Sequence, residues 1–513
     1  MIMWIGQNYI NRNFTNTEED SFQKINPSTG EVLGEFPKTS KETVEDTIAL
    51  ARHSFLLWRG KSRVERAEVM LRVAQIVERR KEEIATVVSL ETGKNYNESI
   101  AEVNEALHMA QYAFSSGRTP QGEAVASEIA EKDSYMLRKP KGVIAIVSPF
   151  NFPVAIGAFW CAAPAIVEGN SVILKPSEDA PYSSQLCAEI YDEAGIPAGV
   201  FNVLHGESAT GDALVKGDVD HICFTGSAEV GQHIRKVAAE SWHKTTSCEM
   251  GSKSAVVVFE DADLGLALDA CVASAFKLSG QRCVSAGRIL VHKDLMQDFV
   301  DPFVERVKQL KTGNPLTAGQ NGGIMSMTPE NNQPLIGADS GIDYGPIINK
   351  QGLEKVSQYN QMVFEDPEAH VKLKGEVLEG AGNFMTPTVY VSEWRGHEAP
   401  YLRNEVFGPH VAIIPFENIE HAIHIYNDTD YGLAVGILTD DFRKARTMRD
   451  ECDAGMIYWN GGSIAAESHL AFGGVKKSGN GFPSAARTFR AVTHEISWTV
   501  NHGSSLAFPQ GMK

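Results

Sequence analysis

Short apolar runs alternate with longer amphipathic stretches from about Gly142 to Glu260. The runs read GVIAIVSP, SVILKPS, VFNVLHG, HICFTGS and SAVVVFE. The segments between them, such as Ser183–Glu193 and Ala228–Glu240, have the spacing of helices. Continuous apolar strands that alternate with helices are typical of βαβ units with a buried parallel sheet. The pattern therefore predicts an α/β domain.

A second series of apolar runs follows the segment around Cys283 and predicts a second α/β domain. These runs read RILVHKD, HVAIIPF, AVGILTD and MIYWNGG. Upstream, Ser40–Asn97 is rich in Ala, Glu, Arg and Leu and predicts long helices. Thr119–Arg138 is polar and is expected to be extended. Residues 313–342, rich in Gly, Pro, Asn and Met, predict a long surface loop, either a tolerated insertion or a functional segment.

Length and charge limit the classes of function. A chain of 513 residues exceeds one ordinary core, so two or three domains are expected. The net charge of −18 disfavours nucleic acid as a partner. No apolar run is long enough to span a bilayer, and the first residues lack the features of a signal peptide. Seven scattered cysteines without a CxxC pair argue against a disulfide framework or a metal site, and predict a reducing compartment such as the cytoplasm.

Three strand-to-turn segments carry candidate ligand-binding groups. SPFNFP places Asn151 after a strand, where ligand crevices of α/β sheets lie, although such an Asn is more often a turn residue. ILKPSEDAP carries Lys175 and Glu178, which suit a ribose or form a surface salt bridge. FTGSAEVG puts Gly226 and Ser227 at a helix start, where backbone N–H groups bind phosphate. That last segment is not a GxGxxG fingerprint and is a weak signal alone.

Two further segments, CEMGSKS and SGQRCVSAGR, contain the groups for covalent chemistry. Cys283 follows Arg282, and a neighbouring cation lowers the pKa of a thiol, so a reactive thiolate is expected there. Glu249 lies close to Gly251, whose backbone freedom suits a mobile carboxylate. Spacing alone leaves Cys283 equally compatible with an inert buried thiol. Other cysteines lie in apolar runs and are expected in the core: Cys161, Cys187, Cys223 and Cys271.

These motifs together resemble the aldehyde dehydrogenase superfamily. SPFNFP, LKPSE, FTGSAEVG, EMGSK, GQRC, NEVFGP (Asn404–Pro409) and AFGGVKKSG (Ala471–Gly479) occur in the order and spacing of that family. The resemblance runs from Ile25–Gly34 to the tail. Within the family, Glu102–Ala113 and Trp498–Lys513 resemble the aminoadipate-semialdehyde branch, whereas SGNGFPSA is similar to the succinylglutamate-semialdehyde branch. Both branches indicate an aldehyde that carries a carboxylate.

The resemblance implies an architecture. It comprises a Rossmann-like NAD(P)-binding domain (residues 1–117 and 141–252), an α/β catalytic domain (253–484), and a small β oligomerisation flap with a tail (118–140 and 485–513). Unpaired strand edges in the flap predict self-association, as a homodimer or homotetramer.

The resemblance also implies residue roles. Cys283 matches the nucleophile, Glu249 the general base and Asn151 an oxyanion donor. Matches to cofactor-binding groups are Lys175 and Glu178 (adenosine ribose), Gly226 and Ser227 (pyrophosphate), Glu405 (nicotinamide ribose) and Phe407 (nicotinamide ring). The substrate is expected to meet Phe152, Phe159, Arg282 and Glu105, with Glu102 as an alternative to Glu105.

The implied reaction oxidises a small-molecule aldehyde to its acid through a thiohemiacetal and a thioester on Cys283. Glu178 disfavours a 2′-phosphate, so NAD is expected as the cofactor, with NADP as the alternative. The alternative substrate is a neutral aliphatic or aromatic aldehyde. The alternative class of protein is a non-catalytic protein that retains the fold. One departure concerns Ser252, which stands where the family usually has glycine and is expected to restrict the movement of Glu249.

Overall fold

The computed structural model describes residues 3–316, 341–480, 484–506 and 508. The chain begins with short strands and continues into long helices: β1 (Trp4–Ile5), β2 (Asn8–Ile10), β3 (Asn13–Thr15), β4 (Ser21–Ile25), β5 (Val32–Pro37), α1 (Lys41–Trp58), α2 (Arg63–Arg79), α3 (Lys81–Thr92) and α4 (Tyr96–Ser116). Ser62 and Glu65 form a capping box at the start of α2. Gly93, with φ of 71°, ends α3 in the left-handed conformation. The helices predicted over Ser40–Asn97 are confirmed.

The next segment forms an extended arm and then the first large sheet. Its elements are β6 (Gly122–Val125), β7 (Lys132–Pro140), β8 (Val143–Val147), a π-helix (Ala155–Cys161), α5 (Ala162–Glu168), β9 (Ser171–Lys175), α6 (Pro181–Glu193), β10 (Phe201–Val203), α7 (Ser208–Lys216), β11 (His221–Thr225), α8 (Ala228–Ala239) and β12 (Thr245–Glu249). The strands β12, β11, β8, β9 and β10 lie side by side in parallel, and β2 and β3 extend the sheet beyond β10.

Both faces of this sheet are buried, as the apolar runs predicted. Along β8, Ile144 and Ile146 pack into a core with α2 and α4, whereas Val143 and Ala145 pack on the opposite side against α1. Alternate residues of a strand point to opposite faces, so a strand apolar at every position requires a layer on each side. The sheet is therefore the middle layer of the predicted α/β domain.

The second large sheet begins at β13 (Ala255–Val258). Further elements are α9 (Leu264–Phe276), β14 (Arg288–His292), α10 (Met296–Lys308), α11 (Lys350–Glu365), β15 (His370–Leu373), β16 (Thr388–Val391), α12 (Pro400–Arg403), β17 (His410–Phe416), α13 (Ile419–Asn427), β18 (Tyr431–Gly432), β19 (Ala434–Leu438), α14 (Phe442–Glu451) and β20 (Met456–Trp459). The strand order is β15-β16-β17-β14-β13-β19-β20. All neighbours are parallel except β15 and β16.

Strand β13 corrects the sequence interpretation. The sequence predicts its run, SAVVVFE, as part of the first series, but β13 pairs with β14 and β19 in the second sheet. The strand that ends the first series is β12, whose sequence TTSCE is too polar at its start to be found as an apolar run. Of the predicted loop 313–342, residues 317–340 lie outside the described residues.

Two of the last strands, β23 and β25, pair with strands described above. They are β21 (Ala471–Phe472), β22 (Val475–Lys476), β23 (Gly479–Asn480), β24 (Ser484–Ala485), α15 (Thr488–Ala491) and β25 (Thr493–Asn501). Strand β23 pairs with β12 at the edge of the first large sheet. Strand β25 pairs antiparallel with β7 over nine residue pairs, and β6 lies on the other side of β7. The predicted extended segment thus forms a three-stranded antiparallel sheet.

The helices of the described residues include none long and apolar enough to cross a membrane.

Candidate functional site

A cavity of about 780 Å³ lies at the carboxyl edge of the first large sheet. Residues that follow β8, β9, β11 and β12 form one wall, and α11 with the segment after α12 forms the other. Ligands of open α/β sheets bind in such crevices outside the strand ends. Most of the predicted site residues line it together: Asn151, Lys175, Glu178, Gly226, Ser227, Cys283, Glu405 and Phe407.

Cys283 follows a sharply bent loop. Its predecessors Leu278, Ser279 and Gly280 have φ of 53°, 55° and 71°, a run of three left-handed residues. The side-chain nitrogen of Asn151 donates a 2.9 Å hydrogen bond to the carbonyl of Gln281. An amide nitrogen carries two hydrogens, so one remains for a ligand oxygen. Asn151 is thereby fixed beside the nucleophile loop, as an oxyanion donor must be.

The electrostatic surroundings of Cys283 differ from the sequence expectation. Burial, together with the charges of Glu249 and Glu405, raises the pKa of its thiol to about 12. Arg282 does not lower the pKa of Cys283, because its guanidinium pairs with Glu98 at 3.1 Å and lies over the ring of Phe152. The expectation of a low pKa caused by Arg282 is therefore wrong. Of the seven cysteines, all within the described part, only Cys283 has appreciable exposed surface.

Glu249 is the last residue of β12 and is almost completely buried. Within the described residues, neither of its carboxylate oxygens has a hydrogen-bond partner. Burial, and secondarily Cys161, raise the pKa of Glu249 well above its ordinary value. A buried carboxyl without fixed partners can take up a proton readily, which suits a general base.

Glu405 links the cavity to the segment after Glu249. One of its oxygens accepts a 2.7 Å hydrogen bond from the N–H of Ser252. The Ser252 hydroxyl in turn donates to the carbonyl oxygen of Cys283. A Cβ at Gly251 would lie 2.3 Å from the other oxygen of Glu405, so glycine is what leaves room for this carboxylate. Phe407 has φ of 64° and packs edge-on against Phe150.

The groups predicted to bind adenosine ribose and pyrophosphate lie at neighbouring strand ends. The ammonium of Lys175 is buried and lies 3.6 Å from the half-exposed carboxylate of Glu178. Ser227 is the N-cap of α8, and its hydroxyl accepts a 3.3 Å hydrogen bond from Val230 N–H. The start of α8, with Gly226 before it, faces the cavity, which is the geometry that favours an anion.

A second cavity of about 770 Å³ lies next to the nucleophile loop and is lined by Arg282, Phe152 and Glu105. Burial raises the pKa of Glu105 to about 7. Glu102, the alternative to Glu105, is completely buried, forms an ion pair with Lys94 and accepts hydrogen bonds from Val154 and Ala155 N–H. Glu102 is therefore a structural residue.

The prediction of Phe159 as a substrate contact is corrected. Its side chain has no exposed surface and packs against Tyr191, because the π-helix that carries it turns into the hydrophobic core.

Sequence reasoning missed two groups of residues around the site. Glu98 and Lys94 contact Arg282 and Phe152 across a long sequence separation, and no local motif indicates them. Lys355 on α11 lines the first cavity and acts electrostatically on Glu405. Among the described residues, no group of three His, Cys, Asp or Glu side chains is arranged to hold a metal ion.

A parallel sheet covered on both faces, with a ligand crevice at its carboxyl edge, defines an α/β enzyme of the nucleotide-binding type. The model of the aldehyde dehydrogenase family matches residues 14–497. The chain belongs to this family.

Relatives and solved structures agree with that assignment. The chain is 34% identical to 1-pyrroline-5-carboxylate dehydrogenase of Staphylococcus haemolyticus, covering 90% of this chain and 86% of the relative. It superposes on the NAD-dependent aldehyde dehydrogenase of Sinorhizobium meliloti with a TM-score of 0.90 and 28% identity, covering 99% and 97% of the two chains. For a betaine aldehyde dehydrogenase of Staphylococcus aureus in complex with NAD+, the TM-score is 0.88 at 27% identity, with 98% and 96% covered. The predicted fold is confirmed, and the predicted cofactor agrees with what this relative holds.

Proposed function

We propose that this protein oxidises an aldehyde carrying a carboxylate to the corresponding acid, with NAD as hydride acceptor and Cys283 as the nucleophile. The observation that carries the proposal is that a partly exposed thiol and an amide donor line one cavity, with a buried carboxylate near the thiol. Cys283 and Asn151 line it, and Glu249 is close enough to raise the pKa of the thiol. These are the three groups that acyl chemistry on a thiol requires.

The residues of the first cavity fit a dinucleotide. Its volume is within the usual range for ligand sites. Lys175 and Glu178 would hold the adenosine ribose, the start of α8 the pyrophosphate, and Glu405 the nicotinamide ribose. Glu178 also repels a 2′-phosphate, so the choice of NAD over NADP rests on this carboxylate.

Acylation begins when Cys283 Sγ gives its proton to solvent water and forms a bond to the aldehyde carbon. The carbonyl oxygen becomes an alkoxide, which the free N–H of the Asn151 amide and the backbone N–H of Cys283 stabilise. When bound, NAD supplies the acceptor for the hydride that leaves this carbon, so that a thioester remains on Cys283. The raised pKa of Cys283 keeps its thiol largely protonated near neutral pH, and a protonated thiol is less reactive toward oxidants than a thiolate.

Deacylation requires an activated water. Glu249 takes a proton from water, the oxygen attacks the thioester carbon, and the C–S bond breaks to release the acid and the thiolate of Cys283. The raised pKa of Glu249 suits this step, because a carboxylate with a raised pKa holds the proton taken from water more strongly than an ordinary carboxylate does.

The second cavity supports the choice of an acid-bearing substrate. Arg282 donates to Glu98 through one nitrogen, while its Nε is buried and has no partner among the described residues. A substrate carboxylate there would satisfy that donor. Glu105 on the opposite wall suits an amino group of the same substrate. The name of the relative 1-pyrroline-5-carboxylate dehydrogenase also specifies a carboxylate.

Self-association is part of the proposal. The outer strands β6 and β25 each leave an unpaired edge in the described chain, and Val125, Met136 and Trp498 are exposed on this sheet. Such edges are normally covered by a partner. We expect a homodimer or homotetramer, which sedimentation of the purified protein would establish.

The test is a panel of aldehydes with NAD, followed by the near-ultraviolet absorbance of reduced nicotinamide. Cys283→Ser should lower the turnover number by about 10⁴-fold or more, because the covalent route is lost. Cys452→Ser, which changes a buried cysteine of the second sheet, is the matched control and should keep wild-type turnover. Wild-type turnover in Cys283→Ser would overturn the proposed route.

A further inference from the structure

The loop before Cys283 adopts an unfavourable backbone conformation. Leu278 and Ser279 both carry a Cβ, yet both have left-handed φ and ψ angles, and Gly280 follows with φ of 71°. Non-glycine residues pay a steric penalty in this region. Such a conformation persists only when surrounding contacts hold it. The contacts that hold this turn therefore determine where the thiol lies.

A single carboxylate on α4 holds both ends of the turn. One oxygen of Glu98 accepts a 3.1 Å hydrogen bond from Leu278 N–H, where the left-handed run begins. The other oxygen accepts a 3.1 Å bond from the guanidinium of Arg282, directly before the nucleophile. The two contacts are four residues apart along the loop. The side chains of both Glu98 and Arg282 are nearly buried, at 10% and 13% exposure, so solvent screens this pair little.

Other contacts of the turn come from Asn151, which donates to the Gln281 carbonyl, and from the segment before α11. Ser279 Oγ donates to the Gly345 carbonyl at 2.7 Å, and the Gln281 side chain accepts from Ile348 N–H at 3.0 Å. The turn is therefore held between the segment before α11 and α4. On the α4 side, Glu98 is the residue that contacts the turn through hydrogen bonds within the described chain.

We infer that Glu98 is a positioning residue for the nucleophile: its carboxylate, bonded to both Leu278 N–H and Arg282, fixes the left-handed turn that presents Cys283. The inference rests on the proposed function only in taking Cys283 as the nucleophile. Glu98 touches neither the aldehyde nor the cofactor in this scheme. Its effect passes through the backbone of residues 278–282 and through the side chain of Arg282.

Arg282 also contacts the oxyanion side of the site. Phe152, next to Asn151, lies between two cations, with the Lys94 ammonium 4.1 Å and the Arg282 guanidinium carbon 5.3 Å from its ring centre. Arg282, held by Glu98, thus contacts the residue that follows the oxyanion donor. Without Glu98, Arg282 loses its ion pair. The loop that carries Cys283 and the segment that carries Asn151 are then both less firmly positioned. This predicts a defect in the covalent step rather than in cofactor binding.

The experiment compares wild type with Glu98→Ala and Glu98→Gln. We expect Glu98→Ala to lower kcat on the order of 10- to 100-fold, the cost of a misplaced reacting group, with an unchanged Kd for NAD. Alkylation of Cys283 by iodoacetamide, located by mass spectrometry, should change in rate as well. Glu98→Gln, whose amide oxygen can replace only one of the two acceptors, should give an intermediate kcat.

Glu68→Ala is the control, because it removes another Glu–Arg ion pair, with Arg118, from an exposed position. It should leave kcat and the alkylation rate at wild-type values. Wild-type kcat and alkylation in Glu98→Ala would overturn the inference, and so would a loss of kcat accompanied by an equal loss of NAD affinity. If Glu98→Ala does not fold, Glu98→Gln decides by the same criteria.

Failure of the proposed function is distinguishable from failure of this inference. An inactive wild type would contradict the proposed function, but the alkylation rate at Cys283 would still measure the effect of Glu98 on the thiol.

Discussion

The carboxylate of Glu405 accepts a 2.7 Å hydrogen bond from the backbone N–H of Ser252. Ser252 lies three residues after Glu249, and its hydroxyl bonds the carbonyl of Cys283. One short segment therefore connects the residue proposed to hold the nicotinamide ribose with both the proposed base and the nucleophile. A ribose hydroxyl bound to Glu405 would share this carboxylate with Ser252, so cofactor binding and the position of the base are expected to be coupled.

The first prediction concerns the charge around the thiol. Glu249→Gln removes a carboxylate that raises the pKa of Cys283, so the pKa should fall toward the ordinary value. Below the pKa, the thiolate fraction rises about tenfold for each unit of pH or of lowered pKa. Alkylation of Cys283 at a fixed pH between 7 and 9 should therefore be faster in Glu249→Gln than in wild type. The same variant should turn aldehyde over more slowly, because deacylation loses its base.

Stopped-flow measurement separates the two effects: the first turnover of reduced nicotinamide should persist while the steady state falls. Glu240→Gln, an exposed carboxylate after α8, serves as the control for alkylation. Equal alkylation rates in Glu249→Gln and wild type across this pH range would show that Glu249 does not influence the thiol.

A second prediction addresses cofactor choice. Glu178→Gln removes the negative charge that repels a 2′-phosphate, while Lys175 remains. The catalytic efficiency with NADP should therefore rise relative to that with NAD. The ratio of kcat/KM for NADP to that for NAD should rise about fivefold, because two unit charges about 4 Å apart in water interact by about 1 kcal/mol. Glu193→Gln, an equally exposed carboxylate on α6, should leave the ratio unchanged. An unchanged ratio in Glu178→Gln would place the discrimination elsewhere.

A third prediction tests the substrate carboxylate. Arg282→Ala should lower kcat/KM for acid-bearing aldehydes by about 10- to 100-fold more than for neutral aldehydes, because only the former lose a charge-assisted hydrogen bond. Both classes should lose some activity, since Arg282 also bonds Glu98 next to the nucleophile. Parallel kinetics on a matched pair of semialdehyde and neutral aldehyde measure the difference. Equal losses on the two would refute the anchoring role of Arg282.

Much of the fold was accessible from the sequence because its sheets are buried on both faces. Strands such as β8, β9 and β19 have uninterrupted apolar runs, and these were predicted correctly. Strand β12 is not predicted by this pattern, because it lies near the sheet edge beside β23 and begins with the polar pair Thr245 and Thr246. The assignment of β13 to the first series failed because an apolar run does not specify its partner strand.

The sequence predicts the site residues that belong to motifs at strand ends. It does not predict the site residues that come close only through packing of distant segments. Motifs identified Asn151 and Glu405, which line one cavity. The position of Arg282 next to Cys283 in the sequence led to a wrong prediction of the pKa of Cys283, because neighbouring side chains of a bent loop point in different directions. Glu98 lies more than 180 positions before Arg282, so only the packing of α4 against the loop brings them together. The predicted domain boundaries and the roles of individual residues stay predictions.

The first large sheet is closed at one edge by β2 and β3, from the first fifteen residues, and at the other by β23, from residues 479 and 480. A ribosome must therefore synthesise most of the polypeptide before this sheet is complete. Contacts between such distant segments slow folding, and domains that await late strands expose apolar surface meanwhile. A nascent chain halted before residue 479 should consequently remain unable to retain dinucleotide, however well its earlier strands have formed.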